Sequence, residues 1–155
     1  LGLVALVLAA GVPLPEGNLP VRAGFLFYNA HGVVATGITE FSIPFTENYL
    51  SLVENPALYR LYPAAVLAAA TALFTAVRVP SRRGRGAALA TGVAVGIGYV
   101  LLALLCTFAF AVRIENVLYQ PSRAGTALYV LAYGLVFGVV GSVAGQVAGA
   151  TSREA

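Results

Sequence analysis

Three long apolar runs fill most of the chain after its first third, and short polar stretches separate them. From Asn55 to Val79 the sequence reads NPALYRLYPAAVLAAATALFTAVRV. Asn55 suits a helix cap, Pro56 suits a first turn, and Pro63 predicts a bend within the helix. Residues 87–112 and 125–150 carry no charge at all. Each run reaches the roughly 20 residues that a helix needs to cross a bilayer. The opening LGLVALVLAAGVPL is as apolar but short, and it predicts the outer end of a first, truncated span over about 1–14. The apolar region of a signal peptide is the alternative for that stretch.

Charge placement turns these runs into a topology. The turn at 80–86, with Arg78 just before it, holds Arg82, Arg83 and Arg85 and no acid. The loop over 15–54 instead holds Glu16, Glu40, Glu47 and Glu54 against Arg22. Basic short loops stay cytoplasmic, so the Arg-rich turn and the C-terminus are expected inside and the long loop outside. The same arginines are candidates for contact with anionic lipid headgroups. No aromatic platform is interleaved with them, which argues against a nucleic-acid partner.

Within the loop, the stretch FLFYNAHGVV at 25–34 lies in a charge-free run between Arg22 and Glu40. Its glycines and its shortness make it a poor span. A helix lying on the outer surface is expected, with Arg22, Asn29 and Thr36 sharing a polar stripe and His31 placed away from it. Phe25, Phe27, Tyr28, Asn29 and His31 form the expected interfacial segment. Tyrosines 28, 49, 59, 62, 119 and 129 are expected in an interfacial belt, since the ring tolerates acyl chains while the hydroxyl reaches water.

Composition agrees with this pattern: 59% of the 155 residues are hydrophobic and 10% are charged, whereas soluble domains carry roughly a quarter charged residues. The chain therefore reads as one integral membrane domain over 1–155. Its single cysteine, Cys106, excludes an internal disulfide and any multi-thiolate metal site.

The strongest pattern within a span is Gly134, Gly138, Gly141, Gly145 and Gly149, which lie on one helix face. Lipid supplies no hydrophobic drive between helices, so close backbone approach must hold them together. The stripe predicts a packing face, within one bundle or between copies, with Gly92 and Gly96 as a matching patch on the preceding span. A channel lining is the rival use. Thr71, Thr75, Thr91, Thr107, Ser142 and Gln146 are the polar residues of the spans, and no acid lies at their centres. Ion coupling usually needs such a group.

His31 is the one candidate for site chemistry. Catalytic zinc needs three protein ligands, and one histidine with a distant cysteine does not supply them. A haem would need a second axial ligand from elsewhere, and an acid–base histidine would want a carboxylate such as Glu40 or Glu47. A structural histidine bonded to loop backbone is the expected role. The segment AGFLFYNAHGV, together with the Tyr-Pro entry at Tyr62–Pro63 and the glycine-rich last helix, resembles uncharacterised haloarchaeal integral membrane proteins with an LFYNAH-like outer-loop segment. That resemblance implies four spans and brings no activity.

The sequence thus predicts an all-α membrane protein, a four-transmembrane-helix bundle with a long outer loop containing an interfacial helix. It predicts a non-enzymatic structural or accessory component of the cell membrane, with no catalytic, cofactor or metal residues. The expected partners are the lipid bilayer and other membrane subunits or copies of itself. An oligomeric channel or transporter, and a haem-binding or enzymatic subunit using His31, are the alternatives.

Overall fold

The computed structural model describes residues 19–41, 44–52, 56–78 and 84–151. The elements run α1 (Leu19–Ala30), β1 (Ala35–Ile38), β2 (Pro44–Glu47), a 3-10 turn (Tyr49–Leu52), α2 (Pro56–Arg78), α3 (Gly84–Ala109), β3 (Val112–Ile114), β4 (Val117–Pro121) and a last helix, α4, over Arg123–Thr151. One turn of α4, Thr126–Val130, is π-helical.

Helices α2, α3 and α4, of 23, 26 and 29 residues, are long and apolar enough to cross a membrane. Large apolar side chains on their outward faces are exposed, among them Leu73, Leu101, Leu105 and Val140. That is the surface a bilayer solvates. The fold is therefore mostly helical, with three candidate spans among the described residues where four were expected in the whole chain. The predicted span at 1–14 lies outside the described residues, as do Asn55, Arg82 and Arg83.

α4 is the central helix. It packs along both α2 and α3, which make only slight contact with each other. Pro63, where a bend is expected, is buried inside α2, and the helix continues through it to Arg78.

The all-α expectation is corrected by a four-stranded antiparallel sheet of order β2-β1-β4-β3. What reads as loop on either side of α2 and α3 is brought together at the end of the bundle opposite the Arg-rich turn. β1 pairs with β4 through Ala35↔Pro121 to Ile38↔Leu118, and α3 ends at Ala109 rather than Val112 because Val112 enters β3. The strands have three to five residues. Only the pairing of distant segments makes them a sheet. A two-residue turn, Glu115–Asn116, joins β3 to β4, with Glu115 at φ 51°.

One face of the sheet covers α1. Ala35 packs with Phe25 and Tyr49, joined by Val112 and Tyr119. Gly37, opposite both Phe45 and Tyr119, leaves room for the Phe45 ring to lie across the strand. A Cβ at Gly37 would strike that ring, and Phe45 meets Tyr119 edge-on at 5.8 Å.

Candidate functional site: the buried histidine cap and the glycine seam

The FLFYNAHGVV stretch forms the end of α1, not a free surface. Phe25 and Phe27 lie on opposite sides of the helix, and Phe25, Tyr28 and Asn29 are completely buried. α1 runs down beside the sheet end of α3. The Phe110 ring covers Gly24, where a Cβ would collide with it. Tyr28 donates its hydroxyl to the Ala103 carbonyl, and His31 reaches Tyr99. Tyr99 lies ten residues before the end of α3, so His31 sits about 15 Å along the helix from its sheet end at 1.5 Å per residue. The expected surface-lying helix is thus sunk among the spans.

Irregular backbone at such depth is tolerated only where protein satisfies it, and the residues after α1 do this in order. Gly32, at φ +82°, closes the helix: its N–H donates to Asn29 O, and the Val33 N–H donates to Tyr28 O. These two bonds are a Schellman closure, and the contact between Tyr28 and Val33 is its usual hydrophobic partner. Asn29 Nδ2 donates to the Val33 carbonyl at 2.7 Å, and Asn29 Oδ1 accepts the Tyr49 N–H at 2.7 Å. The Ser122 N–H donates to Val34 O, which ties the turn to the start of α4. The expected polar stripe is corrected here. Helix α1 stops at Ala30, Thr36 belongs to β1, and Asn29 points inward as a bracket.

His31 spends both ring nitrogens. Nδ1 lies 2.7 Å from the Phe27 carbonyl. A carbonyl only accepts, so Nδ1 carries the proton. Nε2 then presents its lone pair to the Tyr99 hydroxyl at 2.8 Å. The ring is also packed on Phe27 at 4.5 Å and edge-on to Tyr133 at 4.8 Å, while Tyr133 donates to the Arg60 carbonyl. Burial holds the His31 pKa below its ordinary value, opposed by the Phe27 carbonyl. Burial, with a smaller contribution from the Cys106 thiol, pushes the Tyr28 phenol upward. Burial and the nearby Glu47 carboxylate do the same to Tyr49. These groups stay neutral near pH 7.

A haem or metal would have to take the Nε2 lone pair from Tyr99. Among the described residues no group of three or more His, Cys, Asp or Glu could hold a metal ion. The ring's partners are the Phe27 carbonyl and the Tyr99 hydroxyl, so among the described residues neither Glu40 nor Glu47 forms an acid–base pair with it. Two buried side-chain atoms, Arg22 Nε and the Tyr49 hydroxyl, have no hydrogen-bond partner among the described residues.

The predicted tyrosine belt divides. Tyr28, Tyr49 and Tyr59 are core residues, while Tyr129 is half exposed at 49%.

The glycines of α4 meet two different helices. A Cβ at Gly134 would lie 2.9 Å from Gly96 O, and one at Gly138 would lie 2.7 Å from Gly92 O. The same atom at Gly141 or Gly145 would collide with the backbone of Ala68 or Ala72, and at Gly149 it would be 3.2 Å from Ala76 O. One stripe therefore serves both sides of the central helix, against glycines on α3 and alanines on α2. The face is filled by this chain's own backbone, which leaves it no pore to line.

A polar tie fastens the same seam. Ser142 donates to the Ala88 carbonyl of α3 at 2.6 Å and shares a 2.9 Å bond with Thr75 of α2. Thr71, Thr91 and Thr107 bond back to their own helices. Nothing local to Thr75 and Ser142 separates them from those hydroxyls, because the distinction lies in which helix stands opposite. Arg78 and Arg85 lie at the ends of α2 and α3 facing the turn; Arg85 is exposed, and so is Arg78.

No curated protein and no solved structure matches the chain. A family model described as a family of unknown function, DUF7978, matches residues 20–149, which takes in α1, the sheet and all but the last two residues of α4, and the chain belongs to that family.

Proposed function

We propose that this chain is a non-enzymatic structural or accessory component of a membrane assembly, in which the sheet and α1 form a rigid cap for protein contacts. One observation carries the reading: every polar side-chain group of FLFYNAHGVV, including both nitrogens of His31, is bonded within the chain. Catalytic and ligand sites keep a reactive atom or an open coordination position. This buried cluster has spent its capacity on holding α1 among the spans. The outer face of the sheet, with Thr36, Thr46, Arg113 and Gln120, is the surface left for a partner.

Arg78 and Arg85, with Arg82 and Arg83 between them, support a cytoplasmic position for that turn, since basic residues in short loops stay inside. α4 then ends inside, and the sheet faces the other side of the cell membrane. The test is purification of the intact protein from its own membrane, followed by native mass measurement, visible absorbance, and solute flux after reconstitution. A fixed-stoichiometry complex without a Soret band or flux is expected. A Soret band that His31→Gln abolishes, or a solute flux carried by the protein alone, would replace this reading. Protease access to the loop near Glu47 and to Arg85 from the same side of sealed cells would overturn the orientation.

A further inference from the structure

A groove of about 440 Å³ lies between α1 and α3. Ala23, Gly24 and Phe27 form one wall, Tyr99, Leu102 and Cys106 form the other, and Phe110 closes the end nearest the sheet. The spacings of three and four residues put each set on one helix face. No charged side chain lines it among the described residues. The Tyr99 hydroxyl is committed to His31, and the neighbouring Tyr28 hydroxyl is committed to Ala103 O. A polar ligand would find no partner there, and an ordered water needs two or more.

Length and position select the occupant. From Tyr99 to Phe110 the groove follows α3 for about 16 Å, half of a hydrocarbon core of about 30 Å. A partner's spanning helix would need twice that length. The groove opens sideways beside Leu101, Leu102 and Leu105, each more than half exposed, and so towards acyl chains. We propose that it holds one hydrocarbon chain of a bilayer glycerolipid, drawn from the leaflet on the sheet side. Phe27 and Tyr99, with ring centroids 6.1 Å apart, close its deep end, and the His31–Tyr99 bond fixes that stop.

The test reconstitutes the full chain in dioleoylphosphatidylcholine vesicles containing a trace of phosphatidylcholine with a diazirine on one acyl chain. Photocrosslinks are expected to concentrate on residues 23–27 and 99–106. Ala23→Phe, which fills the groove, should lower them roughly tenfold, the loss that about 1.4 kcal/mol of weaker binding gives. Leu73→Phe, on the exposed face of α2, should leave them unchanged. Cys106, the single cysteine, gives a second readout on the unaltered protein if Ala23→Phe does not fold. Adding the same phosphatidylcholine to detergent-solubilised protein should slow its alkylation by a maleimide saturably. Lipid crosslinks spread evenly over the exposed leucines, or absent from residues 99–106, would overturn the proposal. So would Cys106 alkylation that ignores the lipid.

Discussion

The seam along α4 and the cap around His31 hold helices together by opposite means. At the seam, side chains are removed: glycines on α4 face glycines on α3 and alanines on α2, and backbones come into contact. At the cap, side chains are added: rings and hydrogen bonds from Tyr28, Asn29, His31 and Tyr99 fill the space. The difference follows from the state of the backbone. Inside α2, α3 and α4 the peptide groups are bonded within their own helices, Pro63 of α2 excepted, so van der Waals contact is the main thing left to gain. At Ala30 the helix ends below the surface of the bundle, and its free carbonyls and the following turn must be satisfied by side chains. Intact helices can be joined by shape alone, whereas a buried helix end requires chemistry.

The largest effect should come from the seam. Gly141→Leu or Gly145→Leu places a side chain where α2 backbone already lies, and should cost about 3 kcal/mol or more, the upper end for overpacking. Val140→Leu, on an exposed position, should be nearly silent. Thermal unfolding in detergent, or yield of monodisperse protein, reads both. Equal effects at the three positions would mean that α4 does not sit between α2 and α3.

At the cap, Asn29→Ala strands the Val33 carbonyl and the Tyr49 N–H together. A loss of about 2 kcal/mol is expected, within the range for buried groups left unpaired. Phe25→Ser should act in the same direction through lost packing. If Asn29→Ala is neutral, the bracket is not what holds the turn in place.

Ser142→Ala tests the one polar contact shared by all three spans. Interhelical hydrogen bonds of this kind average about 0.6 kcal/mol with a maximum near 1.7 kcal/mol, so the change should be measurable but smaller than at Gly141. A double cycle with Thr75→Ala should show coupling between the two. Additive effects would break the proposed tie.

The smallest effect distinguishes the regions by pH. His31 is held neutral in the fold, with its pKa below the ordinary value near 6.5. The unfolded chain then binds more protons as pH falls through that value, so stability should decline on acidification and be fully present above it. His31→Gln should flatten that slope, whereas Ser142→Ala should leave it intact. An unchanged slope in His31→Gln would place the titrating group elsewhere.

Much of the bundle was legible because hydropathy is a local property. Residues 55–79, 87–112 and 125–150 announce helices by the solvent they can tolerate, and the boundaries moved by only a few residues. The glycine spacing on α4 also showed a face made for close approach. It did not show that α2 and α3 share that face, since the partner of a glycine is chosen by the helix opposite. The end of α1 left one signal that could have been read further: Gly32 followed by Val33 is a helix-closing pair, and it separates the α1 helix from the Thr36 that appeared to continue its stripe.

By itself, then, the sequence determined where the helices long and apolar enough to cross a bilayer run, and which residues are small enough to let backbones touch. Tertiary structure decided the rest. It built one sheet from strands too short to declare themselves, because the two inner strands, β1 and β4, meet only when the chain between them folds back through α2 and α3. It also turned Asn29 and His31 from a supposed surface into a buried bracket, because a polar side chain's role depends on which unpaired backbone group the fold brings within reach.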